Sequence, residues 1–281
     1  MRAKRIRNRI LYHVLVFSFG MLMLYPLFWM LMSSFKDSNT IFTTAGQLIP
    51  RTFTLENYVN GWRGFGNVSF RTFFGNSLFI AFFATAGTLI SSALVAYSFA
   101  RCEFKGSALL FAAMLASMML PGQILMVPQY LWYRKLGWVG GFAPLIVPYW
   151  FAIQGFFVYL MRNFIDGIPK DLDEAAQIDG CSYYAIFTRI ILPLMRPAFV
   201  TSGIFSFIWR WDDFMSALLY INKTALYPVA LALKLFADPS SSSDYGAMFA
   251  MAALSLVPVV LIFFVFQRQL VEGIASSGIK G

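Results

Sequence analysis

The chain is poor in the side chains that do chemistry. Among its 281 residues stand one histidine, two cysteines and 13 acidic residues, and only 12% are charged. His13 has no second imidazole with which to build a metal site or a triad, and it is read as structural. Cys102 and Cys181 are distant in sequence and outside any CxxC pair, so neither a disulfide nor a metal site is indicated. No cluster of nucleophiles, acids or metal ligands recurs at one depth, which argues against an enzyme. The closest approach to a phosphate loop, Gly273 to Gly278, has Ile279 where lysine is required, so no ATP site is read. No internal repeat of useful length is present, nor any linker or soluble domain.

What the chain does have is apolar surface: 59% of residues are hydrophobic and 18% aromatic. A water-soluble domain is about a quarter charged, and this one could not hide so much apolar surface from water. Lipid is the expected solvent, and the formal charge of +9 is read as membrane topology rather than nucleic-acid binding, because many basic residues lie in short segments between apolar runs.

The first run, residues 10–32, follows a basic cluster from Arg2 to Arg9. It is too long for the ~7–15-residue core of a signal peptide and matches the ~20 residues that cross a bilayer. Five further runs follow at residues 73–99, 107–127, 142–160, 197–220 and 247–266. The expected architecture is therefore an all-α integral membrane protein with six transmembrane helices in one domain covering residues 1–281. Pro26, Gly87, Pro121 and Pro258 inside these runs are tolerable in a packed bundle, where neighbours satisfy freed backbone groups. The positive-inside rule puts Arg2, Lys4, Arg5, Arg7 and Arg9, hence both termini, in the cytoplasm. With them go the 101–106 turn and the 161–196 loop, which contain the two cysteines. Residues 34–72, 129–141 and 222–246 then lie outside, the last with a turn-rich stretch from Asp238 to Asp244.

The 161–196 loop carries the informative pattern. Asp171 and Glu174 give a D-x-x-E start, Asp171, Asp173 and Glu174 suit the positive end of a helix, and Gly180 can take the left-handed conformation that ends one. Ser182 can cap a second helix with Tyr183, Ile186, Phe187 and Ile190 on one apolar face. Ala175 and Ala176 leave little side chain on the first helix, so it can either pack on its own bundle or enter the groove of another protein.

Glu174-Ala175-Ala176, Gly180, Ile190 and Leu192-Pro193 stand at the spacing of the EAA loop and resemble the permeases of ATP-binding-cassette (ABC) importers. The resemblance extends over nearly the whole chain and narrows to the second permease of maltose-type carbohydrate-uptake systems. It is carried by Pro26 to Met30, Ser34-Phe-Lys36, Phe53 to Tyr58, Asn76-Ser77, Ala96 to Arg101, Pro193 to Pro197 and the ending Gly273 to Gly281. Trp209-Arg-Trp-Asp-Asp-Phe214 departs from the family's more usual Trp-Asn-x-Phe.

The resemblance implies a type I importer permease fold with a cytoplasmic coupling helix, in which Asp173, Glu174, Ala175, Ala176, Asp179 and Gly180 meet the ATPase. It implies a transmembrane pathway for a sugar or oligosaccharide, formed with a second permease as a heterodimer in the bacterial inner membrane. The sugar would be delivered by an extracellular or periplasmic binding protein, which the 222–246 loop would probe. ATP and Mg would be bound by two partner ATPase subunits, leaving this chain with no cofactor, no metal and no nucleic acid. The tail would reach towards the ATPase dimer interface.

Arg210, Asp212 and Asp213 fall in the fifth run, where ionisable groups are costly and need partners. They are read either as contacts along the pathway or as an ion pair that holds helices together, with Arg210 and Asp213, three apart, able to share a face. Arg51, Arg63 and Arg71 on the outer side suit an acidic saccharide or docking of an acidic binding protein equally well. A secondary transporter would explain the bundle but not the EAA loop.

Overall fold

Apolar runs become long helices where nothing interrupts the backbone, and here the interruptions fall at prolines, at an αL residue and at a pair of acids. The computed structural model describes residues 2–237 and 243–278. Residues 238–242 of the turn-rich stretch and 279–281 of the tail lie outside them. In chain order the helices are α1 (Arg2–Ser33), α2 (Glu56–Arg63), α3 (Phe70–Arg101), α4 (Ser107–Met118), α5 (Gly122–Lys135), α6 (Ala143–Ile146), α7 (Gly155–Asp166), α8 (Asp171–Ile178), α9 (Tyr183–Ile186), α10 (Leu192–Leu194), α11 (Arg196–Trp211), α12 (Phe214–Tyr220), α13 (Val229–Phe236) and α14 (Tyr245–Gly278). Apart from one isolated bridge between Phe65 and Val68, no β pairing occurs among the described residues.

Four helical stretches are long and apolar enough to span a bilayer: Asn8–Ser33, Phe70–Arg101, Ala143–Asp166 and Tyr245–Gln267. Two bent pairs, α4 with α5 and Tyr183–Leu194 with α11, raise the number to six. Three of the expected runs are broken. Residues 107–127 do not form one helix: the chain turns by 103° between α4 and α5, with Pro121 extended at φ −61°, ψ 126°. Proline cannot supply the N–H that would continue the ladder. Residues 142–160 begin as the short α6, continue as a 3₁₀ stretch Val147–Phe151 and break at Ala152, φ +50°, before α7 runs on to Asp166. Residues 197–220 divide at Asp212, because Asp213 takes φ −73°, ψ 83° and its carboxylate accepts the Ser216 N–H to start α12. Pro26 and Pro258, by contrast, sit inside unbroken α1 and α14.

The described residues form two compact units. In the first, Met1–Phe70 with Leu233–Val257, buried Lys36 donates to the carbonyls of Thr44 at 3.0 Å and Gln47 at 2.6 Å. Asn57 Nδ2 donates to the carbonyls of Ser34 at 2.8 Å and Lys36 at 2.6 Å. The Ser34-Phe-Lys36 and Phe53–Tyr58 motifs thus hold one another.

In the second unit, Arg71–Ala232 with Pro258–Gly281, α3 supplies one wall of two apolar clusters. One joins Ala93, Ala96 and Tyr97 to Met161 and Ile165 of α7, Ala176 of α8 and Ile186, Phe187 and Ile191. The other joins Ile80, Tyr133, Leu145 and Tyr220. Asn76 Nδ2 donates to the carbonyls of Ala225 and Tyr227 at 2.9 and 3.0 Å, and Ser77 Oγ accepts the Val229 N–H at 2.8 Å. This motif tethers the segment after Tyr220, which is not a plain loop but contains a 3₁₀ turn and α13.

Candidate functional site

The 161–196 segment builds a small helical hairpin in which each local signal has a structural counterpart. α8 spans the eight residues Asp171–Ile178, and its first turn carries Asp171, Asp173 and Glu174, where the helix dipole favours negative charge. Its start differs from the expected side-chain cap: Lys170 occupies the cap position with no side-chain hydrogen bond, and Asp171 is already helical. Gly180 lies at φ +81°, and the Cys181 N–H reaches back to the Ala176 carbonyl at 2.9 Å, closing the helix in the left-handed manner that glycine allows. Ser182 Oγ accepts the Ala185 N–H at 3.3 Å, as expected for the second cap.

Beyond that cap the chain departs from a regular helix. Four α-helical residues give way to a π-helical turn, Phe187–Ile191. Of the expected face, Ile186 and Phe187 are buried and Ile190 packs against them partly buried, Ile191 joins them, and Tyr183 is exposed. The wider turn moves each later side chain round the axis, so 3.6-residue spacing misses Ile191.

α8 splits the six residues singled out on it. Asp173 and Ala176, three apart, are buried against the chain itself, whereas Glu174, Ala175, Asp179 and Gly180 are exposed. Ile178, two residues past Ala176 and so about 200° round the helix, is 86% exposed. Tyr183 and Tyr184 add exposed aromatic surface just beyond the turn. Three uncovered apolar side chains thus fall within seven residues, and exposed apolar patches mark contact surfaces.

The inward face is anchored by two residues that were noted only as part of a family pattern. Arg101, at the end of α3, places Nε 2.5 Å from Asp173 Oδ2, both side chains being over nine-tenths buried. Its Nη2 donates to the carbonyls of Ile165 at 3.1 Å, in the last turn of α7, and of Ile168 at 2.6 Å, just beyond that helix. Tyr97, one turn earlier, donates through Oη to the Tyr183 carbonyl at 3.2 Å. One end of α3 therefore fixes α7, α8 and α9 together. The sequence signal was available: a lone arginine ends a long apolar run, and an i, i+4 tyrosine precedes it on the same face. Cys102 follows Arg101; both cysteines are free thiols, and burial pushes the Cys102 thiol up, away from thiolate reactivity.

The second group lies at the break between α11 and α12. Arg210 Nη1 is 3.0 Å from Asp213 Oδ2, so the expected pair across three residues exists, and the same nitrogen donates to Tyr149 Oη. The guanidinium also sits over the Tyr149 ring, 4.4 Å from its centroid. Asp212 does not join them: it ends α11 and is exposed. Because Asp213 begins a new helix, the single-helix geometry assumed for the three residues does not apply.

The structure is that of a polytopic helical membrane protein. The chain belongs to the family described as binding-protein-dependent transport system inner membrane component, which matches residues 89–276, a stretch containing both groups of residues. It is 35% identical to the probable ABC transporter permease protein YurM of Bacillus subtilis over 95% of this chain and 87% of that one. It is 31% identical to the trehalose/maltose transport system permease protein MalG of Thermococcus litoralis over 99% of each. The arabinooligosaccharides transport system permease protein AraQ of Bacillus subtilis is 30% identical, with 93% and 92% covered. Among solved structures, a chain of a bacterial ABC transporter involved in the import of the acidic polysaccharide alginate shares the fold, with a TM-score of 0.82 at 24% identity over 95% of this chain and 98% of that one.

Proposed function

We propose that this chain is one of two permease subunits of an ATP-driven saccharide importer, and that the exposed face of α8 is where an ATPase subunit docks. The observation that carries this reading is the division of α8. A helix held by Asp173 and Ala176 and closed by a left-handed glycine turns Glu174, Ala175, Ile178 and Asp179 outward with nothing of its own chain over them. An isoleucine and two tyrosines left uncovered within seven residues suit a surface that a partner covers.

In this reading the hairpin and both termini face the cytoplasm, as the basic N-terminus requires. The whole chain acts as one permease domain. ATP and Mg are bound by two partner ATPase subunits, and this chain performs no catalysis. Arg101 and Tyr97 link the docked helix rigidly to α3 and α7, so displacement of α8 is transmitted to the spans. The substrate class follows from family membership and from relatives named for trehalose, maltose and arabinooligosaccharides. An external binding protein would deliver the sugar, contacting this chain in part through the segment that Asn76 and Ser77 tether.

Affinity purification of the tagged chain from its native membrane tests the assembly. Co-recovery of a second permease and ABC ATPase subunits, with ATPase activity raised by a sugar-loaded binding protein, is the expected result. Recovery of the chain alone, with ion-driven sugar uptake in vesicles, would replace this reading with a secondary transporter.

A further inference from the structure

Three interrupted membrane segments bring their breaks to one place. The chain resumes helix at Gly122 after the 103° bend, at Gly155 after the αL residue Ala152, and at Phe214 after the Asp212–Asp213 break. A cavity of about 360 Å³ is lined by Gly122 and Gln123 from the first break, Ile153 and Gln154 from the second and Ser216 from the third. Breaking a helix at membrane depth is tolerated where the freed backbone is buried in protein or lines a wet cavity, and breaks in transport proteins collect at the substrate. One break is elaborately supported: Ser91 Oγ accepts the Ala152 N–H at 3.1 Å and lies 3.0 Å from the Tyr149 carbonyl.

The lining has a distinct chemistry. Gln123, Gln129 and Gln154 present amides, Leu125, Met126 and Leu219 supply apolar wall, Tyr133, Tyr149 and Tyr220 close the floor with their rings engaged by Trp138, Arg210 and Tyr130, and no lining residue is charged. The Gln154 Oε1 is buried without a hydrogen-bond partner among the described residues. Arg210 stands behind Tyr149, with its charge already met by Asp213, so no uncompensated cation is offered to a carboxylate. The volume falls in the ~300–1,000 Å³ range of small-ligand pockets, which combine apolar walls with a few orienting polar groups.

We infer that this cavity is a saccharide subsite on this chain itself, taking one uncharged sugar ring whose hydroxyls pair with the three glutamine amides and whose apolar face lies on the wall of Leu125, Met126 and Leu219. The inference rests on the permease reading above. An uncharged ring distinguishes it from a site for the uronate units of an acidic polysaccharide, which would need a free cation at this depth.

The test uses the assembled transporter in lipid nanodiscs. Cys102 and Cys181 are replaced by serine, and a single reporter is introduced as Gln154→Cys or, so that loss of one amide does not decide the outcome, as Met126→Cys. Labelling by the neutral reagent hydroxyethyl methanethiosulfonate is followed with and without methyl α-glucoside, and with glucuronate at the same concentration. Both reporters should label, and methyl α-glucoside at ten times its Kd should slow labelling about tenfold, since the free fraction falls as 1/(1+[L]/Kd). Glucuronate should protect far less. No labelling in any nucleotide state, no protection by either sugar, or equal or better protection by glucuronate would overturn the inference. ATPase stimulation by a loaded binding protein, measured on the parent transporter with Cys102 and Cys181 as serine, separates these failures: if it is absent, the permease reading itself fails.

Discussion

Replacing Arg101 with methionine removes the cation that pairs with Asp173 among the described residues while keeping much of the apolar bulk. In the native chain Arg101 Nε is 2.5 Å from Asp173 Oδ2, and Nη2 holds the carbonyls of Ile165 at the end of α7 and Ile168 just after it. Removing one partner of a buried pair leaves the other uncompensated, which costs about 3–5 kcal/mol. At 1.4 kcal/mol per tenfold, the lower figure is roughly a hundredfold in the equilibrium that keeps α8 against α7 and α3. Hydrogen exchange of the 173–178 amides in the purified transporter should accelerate by about that factor, since local opening free energy sets protection. Binding-protein-stimulated ATPase should fall with it. Asp173→Leu alone should cost less, because Arg101 keeps its two carbonyls. The double variant should exchange more slowly than Arg101→Met, because no carboxylate is then buried alone. Unchanged exchange in Arg101→Met, or a double variant that behaves as the simple sum of the singles, would refute the anchoring argument.

Glu174→Lys reverses charge on the outward face without touching the inward one, so ATPase subunits should be lost on purification while membrane insertion, read by protease-protected fragments, stays normal. At Gly180 nothing lies within 4 Å of an added Cβ, and φ is +81°, so substitution costs backbone strain alone. Gly180→Asn should cost little and Gly180→Val about 1–2 kcal/mol or more, seen as weaker coupled ATPase in the valine variant; equal activity of the two would remove the turn argument. Arg210→Ala should lower assembly or transport by leaving Asp213 partly buried without its cation. Adding Asp213→Ala should restore assembly but not transport if the pair also shapes the path, while full recovery of transport would mean that it only joins helices.

Where the sequence was legible, single local interactions decide the structure. Gly180 and Ser182 act as read, because a left-handed closure and a hydroxyl cap are set by one residue each. The Arg210–Asp213 pair was accessible from spacing, although its surroundings were not: Tyr149 comes from a distant segment, and Asp213 proves to be a helix start. Hydropathy located the apolar runs but not their breaks: Pro121 and Pro258 carry the same local signal, yet the chain bends at the first and α14 runs through the second, and the charged stretch Trp209–Phe214 sits between two apolar segments that a sliding average joins into one run. The phase of α8 was hidden because two adjacent alanines are equally small, and only the position of Arg101 determines which of them faces inward. The π-helical turn at Phe187 leaves no mark in a 3.6-residue pattern.

The central claim, that the outward face of α8 is a docking surface for an ATPase subunit, is tested most directly by a cysteine at Ala175 in a chain whose native cysteines are serine. Its labelling by a charged, water-soluble maleimide is compared between the permease pair alone and the complete complex. Ala175 is exposed in this chain, so rapid labelling is expected without the ATPase and at least about tenfold slower labelling with it, by the same occupancy relation that governs any covered site. Equal labelling of the two preparations, with the ATPase demonstrably bound, would contradict the account.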